Sequence, residues 1–384
     1  MTMIADFRTF PIVSPIVAVR RMAGFVEVEW GDGRVSPFHD PWLRDNCPCP
    51  ACVYEVTREQ VFQIADVAAD LGVVSSAITA HGGLAIVWQD GHASQFDAGW
   101  LRAHAYDNAS RHERKNAKPK KQHWRAGLQL AVFEYAAIMT DDAQLLAWLI
   151  AVRDVGLTQV VGMPVAVGTL TAVAKRISFI RETNFGVLFD VQSKVDADSN
   201  AYTAFNLPLH TDLPTRELQP GLQFLHCLVN DAQGGDNTFV DGFAVAEYLR
   251  QQEPELYRLL CQTPVEFRNK GRHSDYRFLA PIIALDSDAA VAEVRMANFL
   301  RGPYDLPPEQ MVAYYHAYRR FITLTRDARF RFTKRLEAGQ MWCFDNRRVL
   351  HARDAFDAAS GARHLQGCYV DRDELLSRIL VLQR

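Results

Sequence analysis

The triplet His210-Thr211-Asp212 constrains this chain more than any other feature of its sequence. Its imidazole and carboxylate are two residues apart, and side chains at that spacing lie on the same side of an extended strand. Turn-forming neighbours, including Pro208 and Pro214, indicate a pocket rather than open surface. A third ligand from a distant part of the chain would complete a 2-His-1-carboxylate face. That donor set suits Fe(II) and leaves coordination positions open for a substrate and O₂.

Length and composition define the broad class. The chain has 384 residues, more than the roughly 100–200 of a typical domain, so two domains are expected. It is 48% hydrophobic and 23% charged, which is typical of a globular protein, and its net charge of −3 disfavours a general nucleic-acid binder. The N-terminal apolar run lacks a basic start and is interrupted by Pro11 and Pro15, so no signal peptide is expected. We predict a cytoplasmic protein with neither a nucleic-acid nor a membrane partner.

Three of the seven cysteines, Cys47, Cys49 and Cys52, lie together in a proline-containing loop, and the others are scattered. An odd number without an even framework indicates reduced thiols and a metal cluster rather than disulfides. Three thiolates and one further ligand would make a closed tetrahedral Zn(II) site. Candidates for the fourth ligand are His39, His81, His92, His104 and His112.

An internal duplication favours His92 among these candidates. Two hairpin patterns, each with an Asp-Gly turn, repeat at a constant offset: Trp30, Asp32, Gly33, Ser36, Phe38, Trp42, Leu43 and Arg44 recur as Trp88, Asp90, Gly91, Ser94, Phe96, Trp100, Leu101 and Arg102. His92 stands in the second copy where the first has Arg34. Such a change at a tight turn is what recruitment of a metal ligand would produce.

The pattern of elements predicts a fold that is mainly β with helices (α+β). Residues 1–110 are expected to form a small β-rich zinc-binding domain, and the basic run 111–125 a linker. Residues 126–384 combine several helices with many short strands, which predicts an antiparallel double-sheet barrel with helices packed on one side. Such a barrel is a double-stranded β-helix, or jelly roll.

Two downstream residues fit the chemistry of the triplet. His226 lies in an apolar run and His316 on a predicted helix, and both positions are typical of packing histidines. His351, in CFDNRRVLHARDAF, follows a strand and is flanked by arginines, which makes it the preferred third ligand. Arg363 follows it in GARHLQGCYV, and its planar guanidinium suits a bidentate contact with a carboxylate.

Together, these motifs resemble the Fe(II)/2-oxoglutarate dioxygenases of the taurine-dioxygenase superfamily. The cysteine cluster, GGDNTFVDGF and RHLQGCYVDRDELLSRI resemble more closely the branch that hydroxylates gamma-butyrobetaine and trimethyllysine, over essentially the whole chain. The resemblance implies three sets of ligands and contacts: iron on His210, Asp212 and His351; zinc on Cys47, Cys49, Cys52 and His92; and 2-oxoglutarate on Arg363, with Asn237 near this co-substrate.

The resemblance also implies a substrate with a quaternary ammonium and a carboxylate. The ammonium would bind in an aromatic cage of Phe185, Phe189, Tyr202 and Tyr369, and the carboxylate near Asn200 or Asn298. The implied reaction is hydroxylation of gamma-butyrobetaine at C3 to L-carnitine, with succinate and CO₂ as co-products. A dioxygenase for trimethyllysine or another betaine is the nearer alternative, and a zinc hydrolase using the same His/Asp/His cluster the farther one. A homodimer, with ascorbate as reductant, is also expected.

Overall fold

The structure is a computed structural model that describes residues 10–192, 204–271 and 274–384. The chain forms two compact units, one ending at Pro119 and the other running from Lys120 to Gln383. A helix over Asn108–Ala117 is capped by Asp107, whose carboxylate accepts a hydrogen bond from the Ser110 N–H. The predicted linker, residues 111–125, therefore begins inside a helix.

In its described residues, 10–119, the first unit contains two three-stranded antiparallel sheets, each followed by a short helix. The elements are β1 (Ile16–Met22), β2 (Phe25–Trp30), β3 (Val35–His39), α1 (Asp40–Asp45), β4 (Val73–Ile78), β5 (Leu84–Trp88), β6 (Ala93–Phe96), α2 (Ala98–His104) and α3 (Asn108–Ala117).

The two duplicated hairpins share the same buried contact between a tryptophan and a serine. Trp30 and Trp88 are both fully buried. Each indole N–H donates to a serine hydroxyl six residues further on, Ser36 at 3.1 Å and Ser94 at 2.9 Å. Because a buried indole needs a partner for its N–H, the tryptophan and the serine must be kept together in each hairpin.

The second unit contains the longer series of elements. They are β7 (Ala131–Glu134), α4 (Tyr135–Thr140), α5 (Asp142–Val155), β8 (Leu157–Val161), α6 (Thr169–Ile177), β9 (Phe189–Val191), β10 (Leu207–His210), β11 (Leu222–Asn230), β12 (Gln233–Gly234), β13 (Asn237–Asp241), α7 (Gly242–Gln252), α8 (Pro254–Gln262), β14 (Val265–Lys270), β15 (Asp275–Ala280), β16 (Ile283–Leu285), β17 (Val291–Val294), α9 (Pro308–Arg326), β18 (Arg331–Lys334), β19 (Met341–Asp345), β20 (Val349–Arg353), β21 (Phe356–Asp357), β22 (Arg363–Val370) and α10 (Arg372–Leu382).

Two sheets of this unit form the predicted jelly roll. A six-stranded sheet has the order β7-β8-β19-β11-β22-β9, and a four-stranded sheet has the order β10-β20-β13-β18. Neighbouring strands are antiparallel except for β7 and β8. Side chains from both sheets, including Trp342, Leu365 and Phe239, share one apolar cluster. The expectation of a mainly β fold with a jelly-roll core is confirmed.

Helices cover the outer face of each sheet, whereas the sequence predicted helical packing on one side only. Helices α5, α6 and α10 share a cluster with the six-stranded sheet, and α7, α8 and α9 share one with the four-stranded sheet. The prediction was wrong because successive residues of β13, such as Phe239 and Val240, are both fully buried. Both faces of that strand need apolar cover. Among the helices of the described ranges, none is long and apolar enough to cross a membrane.

A fully buried ion pair joins four parts of the second unit. Arg348 donates to both carboxylate oxygens of Asp241, over 3.0 and 2.8 Å. The same guanidinium donates to the carbonyl oxygens of Asp154, at the end of α5, and of Gln122. Asp241 in turn accepts from the backbone N–H groups of Trp124 and Phe243, and so caps α7. All these contacts lie in the interior, where an unpaired charge is costly.

We predict that Arg348→Met destabilises the second unit by about 3–5 kcal/mol, because it leaves the Asp241 carboxylate buried without its partner. Equilibrium urea unfolding followed by tryptophan fluorescence measures this change. The matched control is Arg277→Met, which breaks the exposed pair with Asp275 and should cost less than about 1 kcal/mol. Equal stabilities of the two variants would contradict the role given to Arg348.

Candidate active site

Strand pairing brings the two histidines of the predicted metal face together. β10 and β20 are antiparallel, and their register sets His210 opposite His351. The two imidazole centroids are 4.1 Å apart, and both side chains are buried. Residues from distant parts of the chain therefore meet at one point because two short strands share an edge.

Asp212 completes this cluster by a route that differs from the one predicted. β10 ends at His210, so Asp212 does not lie on the strand beside it. The chain bends instead, and Leu213 adopts a left-handed backbone conformation with φ of 52°. The bend brings Asp212 Oδ1 to 3.2 Å from His210 Nε2 and 3.7 Å from His351 Nε2. One ligand atom of each of the three residues lies within 4.8 Å of the others.

The protonation states of His351 and Asp212 suit a metal. The side chain of His210 contacts the Pro208 carbonyl oxygen through Nδ1, at 2.9 Å, which leaves Nε2 facing the cluster. Burial, together with the neighbouring His210, lowers the pKa of His351 to about 3, so its imidazole is neutral. Burial opposes ionisation of Asp212, but contacts with His351, His210 and Tyr369 hold its pKa below the usual range. Neutral imidazoles and an ionised carboxylate are the forms that bind Fe(II).

Asn346 clamps the backbone of Asp212, a role that the sequence reasoning missed. Its side-chain oxygen accepts from the Asp212 N–H at 2.7 Å, and its amide nitrogen donates to the Asp212 carbonyl at 3.0 Å. The same nitrogen is 3.2 Å from the Pro220 carbonyl oxygen. The position of Asn346 in FDNRRVLH, shortly before His351, was the available signal. Asn346 therefore supplies the hydrogen bonds that a neighbouring strand would otherwise provide.

Thr211, the middle residue of the triplet, is fully buried and anchors a second network. Its hydroxyl donates to Gln219 at 2.8 Å, and Gln219 donates to Glu293 at 3.0 Å. Burial alone would raise the pKa of Glu293, but Arg295 and Arg347 outweigh it and hold that pKa below the usual range. A buried charged network of this kind holds the segment between the two ligands in one position.

Arg363 is buried on β22, and the part of the chain that the structure describes offers it no counter-ion. No carboxylate in the described ranges lies within ion-pair distance of it, and its Nε has no hydrogen-bond partner there. Its guanidinium lies 5.2 Å from the Phe356 ring centroid. Burial, then the neighbouring Arg353, lowers the pKa of Arg363 to about 10. A buried, unpaired guanidinium is a ready site for a carboxylate ligand.

Asn237, expected near the same co-substrate, is engaged elsewhere. Its side-chain oxygen accepts from the Trp342 indole N–H at 3.2 Å, and the residue is buried. Close beside it in the sequence, Gly235 lies against Arg363: a Cβ there would be 3.2 Å from the Arg363 Nε. The glycine, rather than the asparagine, is thus the part of GGDN that borders the guanidinium.

Three of the four predicted cage residues form one aromatic group. The ring centroids of Phe185 and Phe189 are 6.1 Å apart, and those of Phe189 and Tyr369 are 5.1 Å apart. Phe189 packs over Gly367, where a Cβ would approach the ring to 2.4 Å. The Tyr369 hydroxyl donates to Asp212 Oδ2 at 2.7 Å, so this group adjoins the metal-ligand cluster. Tyr202 and Asn200 lie outside the described residues.

Asn298 begins a short 3₁₀ turn that borders the cluster. Its side-chain oxygen accepts from Arg301 at 3.1 Å and from the Tyr318 hydroxyl at 3.2 Å. The next residue, Phe299, has its ring centroid 5.3 Å from that of His210. Phe299 is a neighbour of the site that the sequence analysis missed, although it directly follows Asn298, which had been predicted to contact the substrate.

The cysteine cluster and His92 converge in the first unit. The Nε2 atom of His92 lies 3.2, 3.5 and 3.7 Å from the Sγ atoms of Cys47, Cys49 and Cys52. His92 occupies the turn between β5 and β6, where its backbone N–H donates to Asp90. Burial, then the charge of Arg44, lowers the pKa of His92, which favours the neutral imidazole. Three thiols and one imidazole form the donor set of a closed tetrahedral site.

The jelly roll, the His/Asp/His cluster and the unpaired arginine together define the class of Fe(II)- and 2-oxoglutarate-dependent oxygenases. Residues 116–369 match the model of the taurine catabolism dioxygenase TauD, TfdA family, and residues 17–128 match that of the gamma-butyrobetaine hydroxylase-like N-terminal domain. The chain belongs to the TauD/TfdA dioxygenase family, within its gamma-butyrobetaine dioxygenase group.

Three relatives show how far the similarity extends. The chain is 68% identical to gamma-butyrobetaine dioxygenase of Pseudomonas sp. (strain AK-1), with 99% of this chain and 100% of the relative covered. It is 31% identical to gamma-butyrobetaine dioxygenase of Homo sapiens, with 94% and 95% covered. It is 28% identical to trimethyllysine dioxygenase of Meyerozyma guilliermondii, with 93% of each chain covered. The similarity thus extends over both units.

We predict that Asn346→Ala lowers the affinity of the His/Asp/His cluster for Fe(II) by roughly ten-fold or more, as is typical when a group that supports a ligand is lost. The reason is that the peptide group of Asp212 loses both of its contacts with Asn346. Anaerobic titration calorimetry measures the affinity. Asn116→Ala, on the exposed face of α3, is the matched control and should bind Fe(II) as tightly as the wild type. An unchanged affinity in Asn346→Ala would contradict the prediction.

Proposed function

We propose that this chain hydroxylates gamma-butyrobetaine at C3 to give L-carnitine, with consumption of 2-oxoglutarate and O₂ and release of succinate and CO₂. The observation that carries the proposal is the full-length identity of 68% to a gamma-butyrobetaine dioxygenase. The residues agree with it, because Tyr369 of the aromatic group binds the metal-ligand cluster through Asp212, and the same strand, β22, carries the buried Arg363, which has no counter-ion within the described ranges. A carboxylate and a quaternary ammonium need those two kinds of partner.

His210, Asp212 and His351 are the proposed iron ligands. The orientation of His210 Nε2 and Asp212 Oδ1 toward one point, and the neutral state of His351, support this assignment. These three residues would hold Fe(II), which would supply the redox chemistry that hydroxylation with 2-oxoglutarate and O₂ needs. The residues around the cluster orient the ligands and keep the site largely buried.

Arg363 is proposed to bind the far carboxylate of 2-oxoglutarate. Its burial, the absence of a counter-ion within residues 10–192, 204–271 and 274–384, and the bidentate geometry of a guanidinium support this role. The assignment of Asn237 beside the co-substrate remains a prediction, and its amide already contacts Trp342.

The aromatic group Phe185, Phe189 and Tyr369, with Tyr202 as the predicted fourth member, is proposed to hold the trimethylammonium. This cation has no N–H group to donate, so π faces and charge attraction must bind it. Asn298 is proposed to contact the substrate carboxylate. Its oxygen already accepts two hydrogen bonds, and its amide N–H groups are the donors that a carboxylate needs. Binding at both ends would determine which carbon faces the metal.

The remaining expectations concern the setting of the reaction. Cys47, Cys49, Cys52 and His92 are proposed to hold a structural Zn(II), because four protein ligands leave no position for a substrate. The seven cysteines all lie in the described ranges and none of them forms a disulfide, which supports the proposal of a cytoplasmic location. A homodimer, and ascorbate as the reductant, remain predictions from the resemblance.

We expect the purified protein to convert gamma-butyrobetaine into carnitine, detected by mass spectrometry, only when Fe(II), 2-oxoglutarate and O₂ are all present. Trimethyllysine and other betaines, offered in parallel, test the nearer alternative through their release of succinate. Turnover without Fe(II), 2-oxoglutarate and O₂ would favour the hydrolase alternative and overturn the proposal.

The variant Arg363→Met tests whether this arginine binds 2-oxoglutarate. Loss of a buried charge-assisted pair costs about 2 kcal/mol or more, so kcat/KM for 2-oxoglutarate should fall at least about 30-fold while Fe(II) affinity stays unchanged. Arg329→Met, which alters an exposed arginine paired with Asp327, serves as the control. Normal 2-oxoglutarate kinetics in Arg363→Met would remove the assignment of this residue.

For the zinc site, we predict that elemental analysis of the wild type finds one zinc per chain. We also predict that His92→Ala loses its zinc at a chelator concentration at which the wild type keeps its own. The physical reason is that the variant leaves three thiolates and opens the fourth position to water. His81→Ala, an exposed histidine of the same unit, is the control. Equal zinc retention in the two variants would show that His92 is not a ligand.

A further inference from the structure

Tyr369 belongs to two groups of residues at once. Its ring lies 5.1 Å from that of Phe189, in the aromatic group, and its hydroxyl donates to Asp212 Oδ2 at 2.7 Å. The proposed substrate cage and the proposed iron site are thus joined through a single side chain.

The two oxygens of Asp212 have different surroundings. Oδ1 faces Nε2 of His210 and of His351, at 3.2 and 3.7 Å, and is the oxygen that a metal would meet. Oδ2 is bound by the Tyr369 hydroxyl instead. A carboxylate that turned both oxygens toward a metal would occupy two coordination positions. The hydrogen bond to Oδ2 therefore favours ligation through one oxygen and keeps a further position open for the reactants.

The hydroxyl of Tyr369 is not needed for binding a cation by a π face. Phe185 and Phe189 stand in the same group, and their rings provide π faces without a hydroxyl. Tyr369 differs from these two residues by its hydroxyl group, and that hydroxyl donates to Asp212 Oδ2.

The ring of Tyr369 is also held in one position. The residue is only 2% exposed and lies in β22, opposite Gln223 of β11. Phe189 packs beside it, over Gly367. The ring and the hydroxyl oxygen are parts of one rigid side chain. The rigid side chain therefore fixes the distance between the aromatic group, which the ring joins, and the Asp212 carboxylate, which the hydroxyl binds.

We propose that Tyr369 is a positioning residue for the metal, acting through Asp212 Oδ2, while its ring forms a wall of the cation cage. It thereby sets the location of the substrate cation relative to the metal. The second half of this inference rests on the proposed function, and the first half rests on the hydrogen bond alone. The two halves can be measured separately.

The test is Tyr369→Phe in the full chain, with zinc retained in the cysteine cluster and Mn(II) as the probe for the His/Asp/His cluster. Mn(II) prefers nitrogen and oxygen ligands, and its free ion is counted by electron paramagnetic resonance. We expect Mn(II) affinity to fall roughly ten- to hundred-fold, the usual effect of losing a partner of a metal ligand. Gamma-butyrobetaine affinity, measured by calorimetry at saturating Mn(II) and 2-oxoglutarate, should change by less than about two-fold because the π face is kept.

Phe185→Leu is the converse variant. This variant should keep its Mn(II) affinity, and its affinity for gamma-butyrobetaine should fall by roughly two- to thirty-fold, the range that one cation–π contact provides.

If Tyr369 had a merely structural role, Tyr369→Phe would lower both affinities, and this result would overturn the proposal. An unchanged Mn(II) affinity in Tyr369→Phe would also overturn it. Unchanged gamma-butyrobetaine affinity in Phe185→Leu would overturn the cage half. A wild type that binds Mn(II) but no gamma-butyrobetaine would refute the proposed function, and the Mn(II) comparison would still decide the role of the hydroxyl.

Discussion

The ion pair between Arg348 and Asp241 is the interaction on which the second unit depends most. Both side chains are fully buried, and between them they hold the end of α5, the start of α7, the segment at Gln122–Trp124 and the turn between β19 and β20. Arg348 also lies three residues before His351, so its contacts fix the start of β20.

A buried ion pair of this kind adds little net stability compared with an apolar replacement, but it strongly penalises any arrangement that separates the two partners. Its main effect is to specify one arrangement of these elements.

The register of β10 and β20 turns this arrangement into a site. A slip by one residue would turn His210 or His351 to the opposite face of the sheet, because side chains alternate along a strand. Asp212 obeys a different constraint, since it lies in a bend beyond the end of the strand, directly before Leu213 with its left-handed backbone. Asn346 holds its backbone and Tyr369 its outer oxygen. The strand register therefore places the two histidines, and hydrogen bonds from Asn346 and Tyr369 place the carboxylate.

Features that depend on local sequence patterns could be predicted from the sequence, whereas contacts between distant parts of the chain could not. The tryptophan hairpins of the first unit and the jelly roll of the second followed from periodicity and turn residues. His351 was chosen as the partner of His210 and Asp212 because it follows a strand and is flanked by arginines, and the family resemblance implied the same residue. The role of Asn346 was not predicted, because a side-chain amide that binds the backbone of a distant bend has no periodic signature. The helices on the second outer face were missed because a strand buried on both faces, such as β13, resembles any apolar run. The bend at Asp212 was missed because the alternation rule applies only while the strand continues.

β22 carries residues of opposite chemistry on one face. Arg363, Leu365, Gly367 and Tyr369 alternate with residues that face the outer helices, and so lie on the same side of the sheet. The arginine is proposed to bind an anion, and the tyrosine ring a cation that has no N–H group to donate.

Gly367 lies between these two residues on β22, and Phe189 fills the space where a side chain at position 367 would be. Any side chain at position 367 would displace that ring, so the glycine limits the shape of the proposed cage although it touches no ligand. Because β22 pairs with β11 from Arg363 to Val370, the backbone spacing between the proposed anion and cation partners is a property of the sheet.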